Sequence, residues 1–136
     1  MVDVPDEIRE TFTQQRVIPL ATCSADGAPN VAYVGMWWWE NPETLVVVNN
    51  YMNKTLENLE ENPRASLVTW VRDDKGSRSY QIKCRTENHF SGPLFEKGRL
   101  KATSGKLKLP GRSVIVCLVE EVYSSSSGKG AGDRLI

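Results

Sequence analysis

A small antiparallel β-barrel flanked by short helices is the fold this sequence predicts, on three observations. Six segments rich in β-branched, aromatic and aliphatic residues each have the length of a strand. Most follow one another through tight turns such as Ala25-Asp26-Gly27, Asn41-Pro42-Glu43 and Asp73-Asp74-Lys75-Gly76, so neighbouring strands should run antiparallel. Too few helical segments intervene to supply parallel crossovers, and no G-x-G-x-x-G occurs, which excludes a dinucleotide-binding α/β fold. Six short twisted strands can close on themselves and remove their exposed edges.

The elements follow in order. Pro5 to Gln15 reads as a helix, with Pro5 suited to its first turn and Ile8 and Phe12 four apart on one face. Val17 to Cys23 is a strand running into a hairpin turn. Asn30 to Trp39, almost continuously apolar, reads as one strand covered on both faces. Leu45 to Val48 is an all-aliphatic strand. Asn53 to Asn62 is a helix with Asn53 as N-cap, Leu56 and Leu59 as its buried stripe, and Pro63 as its stop. Arg64 to Arg72 and Tyr80 to His89 are strands; the second alternates Tyr80, Ile82 and Cys84 with Gln81, Lys83 and Arg85, the pattern of a half-exposed strand. Ser91 to about Gly105 is helical, and Arg112 to Tyr123 is the last strand. Ser124 to Ile136 forms a Ser/Gly-rich tail.

Composition narrows the function. The 136 residues suit one domain, and 17 Lys plus Arg against 17 Asp plus Glu leave no net charge. A protein built to coat nucleic acid needs a basic excess. No apolar run has the length of a transmembrane helix, and the acidic N-terminus has no apolar core of a secretory signal. Cys23, Cys84 and Cys117 are therefore expected as reduced, buried residues of a cytoplasmic protein. One histidine, His89, and no C-x-x-C give no metal site. Ser127-Gly128-Lys129-Gly130 lacks the first glycine and the hydroxyl residue of a P-loop. The basic stretch Arg99 to Lys108 reads as a solvated helix face and loop.

Two stretches can carry chemistry. A buried strand ends near Val48 and a helix begins at Lys54-Thr55. The first N–H groups of that helix have no internal partner and lie at the positive end of its dipole. A lysine and a hydroxyl at that point complete an anion site, although a plain capped helix has the same pattern. The second stretch is Val34-Gly35-Met36-Trp37-Trp38-Trp39. Side chains alternate along a strand, so Trp38 must face away from Trp37 and Trp39, and a ligand, a helix or another subunit must cover one of the two faces. Gly35 in mid-strand suits close approach of a ligand to the backbone.

In this order and at these spacings, the chain resembles the FMN-binding split-barrel family of the pyridoxamine 5'-phosphate oxidases. The resemblance runs from about Val17 to Ile136 and rests on Ala21-Thr22-Cys23-Ser24-Ala25-Asp26-Gly27-Ala28-Pro29-Asn30 and on Asn53-Lys54-Thr55 through Asn62-Pro63-Arg64-Ala65-Ser66-Leu67. It implies a six-stranded antiparallel split β-barrel of Greek-key type over residues 1–136, with the 124–136 tail extending onto a partner. It implies a homodimer with FMN at the interface. Lys54 and Thr55 match positions at the FMN phosphate. Val48 and Asn49 match the pair beside the ribityl phosphate, and Val34, Gly35 and Met36 the strand that lines the isoalloxazine ring. Gln81 resembles a glutamine that reaches FMN from the neighbouring subunit. The oxidases also carry a C-terminal Arg-x-His-Asp-Arg element that holds the vitamin phosphate. Here the tail reads Gly130-Ala131-Gly132-Asp133-Arg134-Leu135-Ile136, so at most Asp133 and Arg134 are kept.

The expected function is an FMN-dependent oxidoreductase of a small or aromatic compound, not a B6 oxidase. A non-catalytic FMN-binding or electron-transfer protein is the alternative, and a haem- or deazaflavin-binding split barrel is a third reading. No catalytic side chain is assigned.

Overall fold

The structure, a computed structural model, describes residues 1–136. Its elements are α1 (Asp6–Gln15), β1 (Ile18–Cys23), β2 (Pro29–Val34), β3 (Trp37–Asn41), β4 (Thr44–Asn49), α2 (Lys54–Glu61), β5 (Arg64–Asp73), β6 (Gly76–His89), α3 (Pro93–Ser104) and β7 (Ser113–Ser124). The strands form one antiparallel sheet in the order β2-β1-β5-β6-β7-β4-β3. No helix is long and apolar enough to cross a membrane.

The expected single strand from Asn30 to Trp39 is two strands. β2 pairs with β1 and β3 pairs with β4, and these are the opposite edges of the sheet. Only Gly35 and Met36 separate them, so a short stretch of chain joins the two edges and curls the sheet into a barrel. The barrel thus has seven strands by pairing, because the chain changes partner in mid-stretch while remaining apolar throughout. Met36 stays tied to the β4 side, its carbonyl accepting from Val48 N–H at 2.9 Å.

Arg16, between α1 and β1, fixes this seam from behind. It adopts φ 67° and ψ −57°, and Val17 N–H donates to Gln15 O at 2.8 Å across it, which defines a γ-turn of the rare, strained hand. Such a conformation costs about 1–3 kcal/mol and persists only where surroundings enforce it. Here they do. Arg16 Nη2 donates to Trp37 O at 2.7 Å, and Trp37 Nε1 donates back to Arg16 O at 2.6 Å.

The core has two compartments. Inside the barrel, Ile18, Leu20, Leu45, Val47, Leu67, Ile82 and Ile115 pack together, with Val4, Ile8 and Phe12 of the N-terminal segment and α1 included in the same cluster. Outside it, α3 lies over β4 and β7, and Phe95 and Ala102 meet Trp38, Val46, Val48, Val114 and Val116. A Cβ on Gly98 would come within 2.4 Å of Val114 Cγ1, so the absent side chain lets α3 approach this closely. β4 is buried along its whole length because both compartments use it.

This resolves the tryptophan run. Trp37 is 1% exposed and packs edge-on to Phe12 inside, and Trp39 also meets Phe12. Trp38 faces the other way and is covered by α3 of its own chain. The run therefore gives no argument for a second subunit. The tail 124–136 turns back along its own β7: Ser124 N–H donates to Asp133 O at 2.9 Å and Leu135 N–H to Val122 O at 2.7 Å.

Candidate functional site: a cleft at the barrel seam

A cleft of about 420 Å³ opens where β2 passes into β3, within the usual size range of small-molecule sites. One wall comes from Asn30, Ala32, Tyr33, Val34, Gly35 and Met36; the other comes from Val48 at the end of β4 and from Asn50 to Thr55, the turn into α2. Of the residues selected from sequence, Val34, Gly35, Met36, Val48, Lys54 and Thr55 all lie on this cleft. Asn49 does not. It is buried, with Nδ2 donating to Ser113 Oγ at 2.9 Å and Oδ1 accepting from Met52 N–H at 2.9 Å, so it shapes the turn rather than lining it. Gln81 also lies elsewhere, on β6, between Val68 of β5 and Tyr123 of β7.

The start of α2 has the chemistry of an anion site. Asn53 occupies the N-cap position but its side chain makes no capping bond, contrary to the sequence expectation. The first-turn N–H groups are thus left without a side-chain acceptor. Lys54 is exposed and reaches Glu57 at 3.3 Å. An exposed i,i+3 pair is worth about 0.3–0.5 kcal/mol, so a phosphate can redirect the ammonium at little cost. Thr55 is buried and its Oγ1 accepts from Asn30 Nδ2 at 3.1 Å. Asn30 also reaches Thr22 Oγ1 at 3.3 Å, which Asn58 Nδ2 meets at 3.1 Å. This buried polar network ties the β1–β2 hairpin to α2 and fixes the cleft width. At the hairpin tip, the Ser24 hydroxyl, aided by backbone N–H groups and last by the Lys54 charge, holds the Asp26 carboxyl below its usual range.

No carboxylate lines the cleft, and its floor is apolar and backbone-rich along Val34 to Met36. A planar ring fits the floor and a phosphate fits the α2 end, so the residues suit FMN. Gly35 has an ordinary φ, and a Cβ there would sit 3.4 Å from Val17 Cγ2, a normal contact. Nothing within the chain demands glycine at that point, and the absent side chain leaves the backbone open to the cleft.

Sequence reasoning missed Asn30, Ala32, Tyr33, Asn50, Tyr51 and Met52. The strand alternation Asn30, Ala32, Val34 was a usable signal for the first; the turn residues carry no pattern of their own.

Residues 4–126 match the family model described as pyridoxamine 5'-phosphate oxidase. An uncharacterized protein of Methanocaldococcus jannaschii is 31% identical over 121 residues, covering 88% of this chain and 79% of that protein. Among solved structures, the Group A Streptococcus protein HupZ superposes with a TM-score of 0.78 at 22% identity, over 95% of this chain and 99% of that one. An FMN-binding protein from Syntrophomonas wolfei superposes with a TM-score of 0.73 at 16% identity, over 90% and 91%. At these identities the structural likenesses speak for the fold.

Proposed function

The chain belongs to the pyridoxamine 5'-phosphate oxidase family, and from that premise we propose that it is an FMN-binding flavoprotein acting as an oxidoreductase on a small or aromatic compound. The observation that carries this reading is the uncapped start of α2, with Lys54 and Thr55, opening into a carboxylate-free cleft floored by Val34, Gly35 and Met36. Bound there, FMN would supply the electron and hydride chemistry, and the protein's part is to hold and orient it. Lys54 and the α2 N–H groups would take the phosphate dianion, and Val34 to Met36 would support the ring. The S. wolfei FMN-binding protein, built on the same fold, supports the cofactor choice.

The partner in this reading is a second copy of the chain. The outer face of β2, β1, β5 and β6 exposes Val31, Tyr33 and Trp70, and Gln81 lies on that face of β6. Tyr33 borders the cleft as well, so a subunit docked on this face would reach the flavin. Pyridoxamine phosphate is a poor substrate in this reading, because the tail lacks the Arg-x-His pair and Arg134 is engaged with Glu121 at 3.1 Å.

The test is the visible spectrum of the purified protein and the mass of any released cofactor. A flavin spectrum and the mass of FMN are expected; haem, or a colourless protein that takes up no flavin, would overturn the reading. Reduction of the bound flavin by reduced nicotinamide donors, followed by turnover with aromatic acceptors, separates an oxidoreductase from a non-catalytic flavin carrier.

A further inference from the structure

We propose that the outer surface of α3 and of the loop that follows it is a docking face for an anionic lipid bilayer, with two exposed leucines, each set between two cations, as its anchors. α3 packs on β4 and β7, so this face is separate from the outer surface of β2, β1, β5 and β6 that a second copy would cover.

Leu107 is 75% exposed, more than any other large hydrophobic side chain of the molecule, and Leu100 is 67% exposed. Their sequence neighbours match: Arg99-Leu100-Lys101 on α3 and Lys106-Leu107-Lys108 in the loop. Leu94 and Leu109, by contrast, pack against the outer compartment of the core. The loop that carries Leu107 is tied down on both sides of the molecule's surface. Leu109 N–H donates to Ala102 O at 3.0 Å, closing the loop back on α3, and Gly111 N–H donates to Asn50 Oδ1 at 2.9 Å. Leu107 is thus held out in solvent by an anchored backbone.

Charge names the occupant. Lys97, Arg99, Lys101, Lys106 and Lys108 follow one another without a carboxylate between them, in a protein of zero net charge. The one acid of α3, Glu96, lies in its first turn. Lys97 meets Glu40 at 3.2 Å, and the other four cations form no ion pair. Each cation close to an anionic bilayer contributes about 1 kcal/mol of attraction. A nucleic acid would use these charges but give the leucines no role; single strands stack on exposed aromatic rings, and the ring beneath Lys97 and Lys101, Trp38, is buried. Protein partners favour aromatic and arginine anchors over leucine. A bilayer surface uses both features at once: leucine enters the acyl boundary while the lysine and arginine stems lie along it and their heads meet lipid phosphates.

The test is co-sedimentation of the full chain with sucrose-loaded vesicles, either of phosphatidylcholine alone or of an equimolar mixture with phosphatidylglycerol. The protein should pellet with the mixed vesicles, stay in solution with the neutral ones, and be released from the mixed ones by added salt. Lys106→Gln combined with Lys108→Gln should weaken partitioning about thirtyfold, the loss of two surface attractions. Leu100→Ala combined with Leu107→Ala should weaken it about tenfold, through lost apolar insertion. All four side chains are exposed, so an unchanged melting temperature accompanies both variants. Lys75→Gln, in the turn between β5 and β6, should partition like the native chain. Failure to pellet with the mixed vesicles, or equal pelleting with neutral ones, would overturn the proposal. So would a leucine variant that partitions normally, since the face would then be a plain electrostatic surface. A thymidine oligonucleotide bound as tightly as the mixed vesicles at the same salt would assign the face to nucleic acid instead.

Discussion

The seam cleft and the hollow on the outer face of β1, β5, β6 and β7 are of similar size, about 420 and 340 Å³, yet their walls differ in kind. The hollow is lined by Arg64, Lys83, Glu120 and Glu121, and its charges satisfy one another or their neighbours. Arg64 meets Glu120 at 3.2 Å, Glu121 takes Arg134 at 3.1 Å and the Tyr123 hydroxyl at 2.9 Å, and Lys83 lies over the Tyr123 ring. The cleft holds the uncapped helix start, whose first N–H groups have no side-chain acceptor, and the exposed Lys54 ammonium, whose partner Glu57 at 3.3 Å is not on the cleft wall. Volume does not distinguish them. Donors without partners do, because such groups gain most from a ligand.

Four changes test that distinction. The largest effect is expected on the outer face, if a second subunit covers it. Val68→Glu places a charge opposite Gln81, where a buried unpaired charge costs about 3–5 kcal/mol. Light scattering should give twice 15.2 kDa for the native protein and 15.2 kDa for the variant; a variant that stays dimeric would move the interface elsewhere. Next, Lys54→Ala should weaken FMN binding by about 1.5–3 kcal/mol while leaving riboflavin nearly unchanged, as for loss of a charge-assisted bond to the phosphate. Equal losses for both ligands in a fluorescence titration would remove Lys54 from the phosphate. Third, Thr55→Val deletes the acceptor of Asn30 at 3.1 Å and should cost about 1 kcal/mol in urea unfolding. An unchanged midpoint would mean that the network does not hold the hairpin to α2. Smallest, Arg64→Ala removes a partner from the outer hollow. An exposed pair of this kind is worth about 0.2–1 kcal/mol, and flavin affinity should not move; a clear loss of FMN would erase the contrast between the two concavities.

Much of this was readable from the sequence, and what was not has physical causes. Each helix and most strands were placed to within a few residues, because apolar periodicity and turn chemistry are local. The break at Gly35-Met36 was not legible: the stretch is apolar on both sides, and a change of pairing partner leaves no mark on composition. A helix was among the covers that the sequence allowed for the tryptophan run; that it is α3 over Trp38 was not legible, although Phe95, Gly98 and Ala102 recur at helical spacing and Gly98 marks close packing. Asn53 looked like a cap by residue type, but the cap bond depends on a backbone geometry that the tight turn does not provide.

The seam has a consequence for how the protein can be taken apart. β2 pairs only with β1, and β3 only with β4, so scission between Gly35 and Met36 severs no ladder bond. The two fragments, one bearing α1 and the first hairpin and the other bearing the remainder, retain the full set of strand contacts needed to reassociate, with β1 docking on β5. What the cut interrupts is the floor of the cleft. Ligand uptake by a reconstituted pair would then report continuity of the floor separately from completeness of the fold, which makes this a natural point for fragment complementation or for new termini.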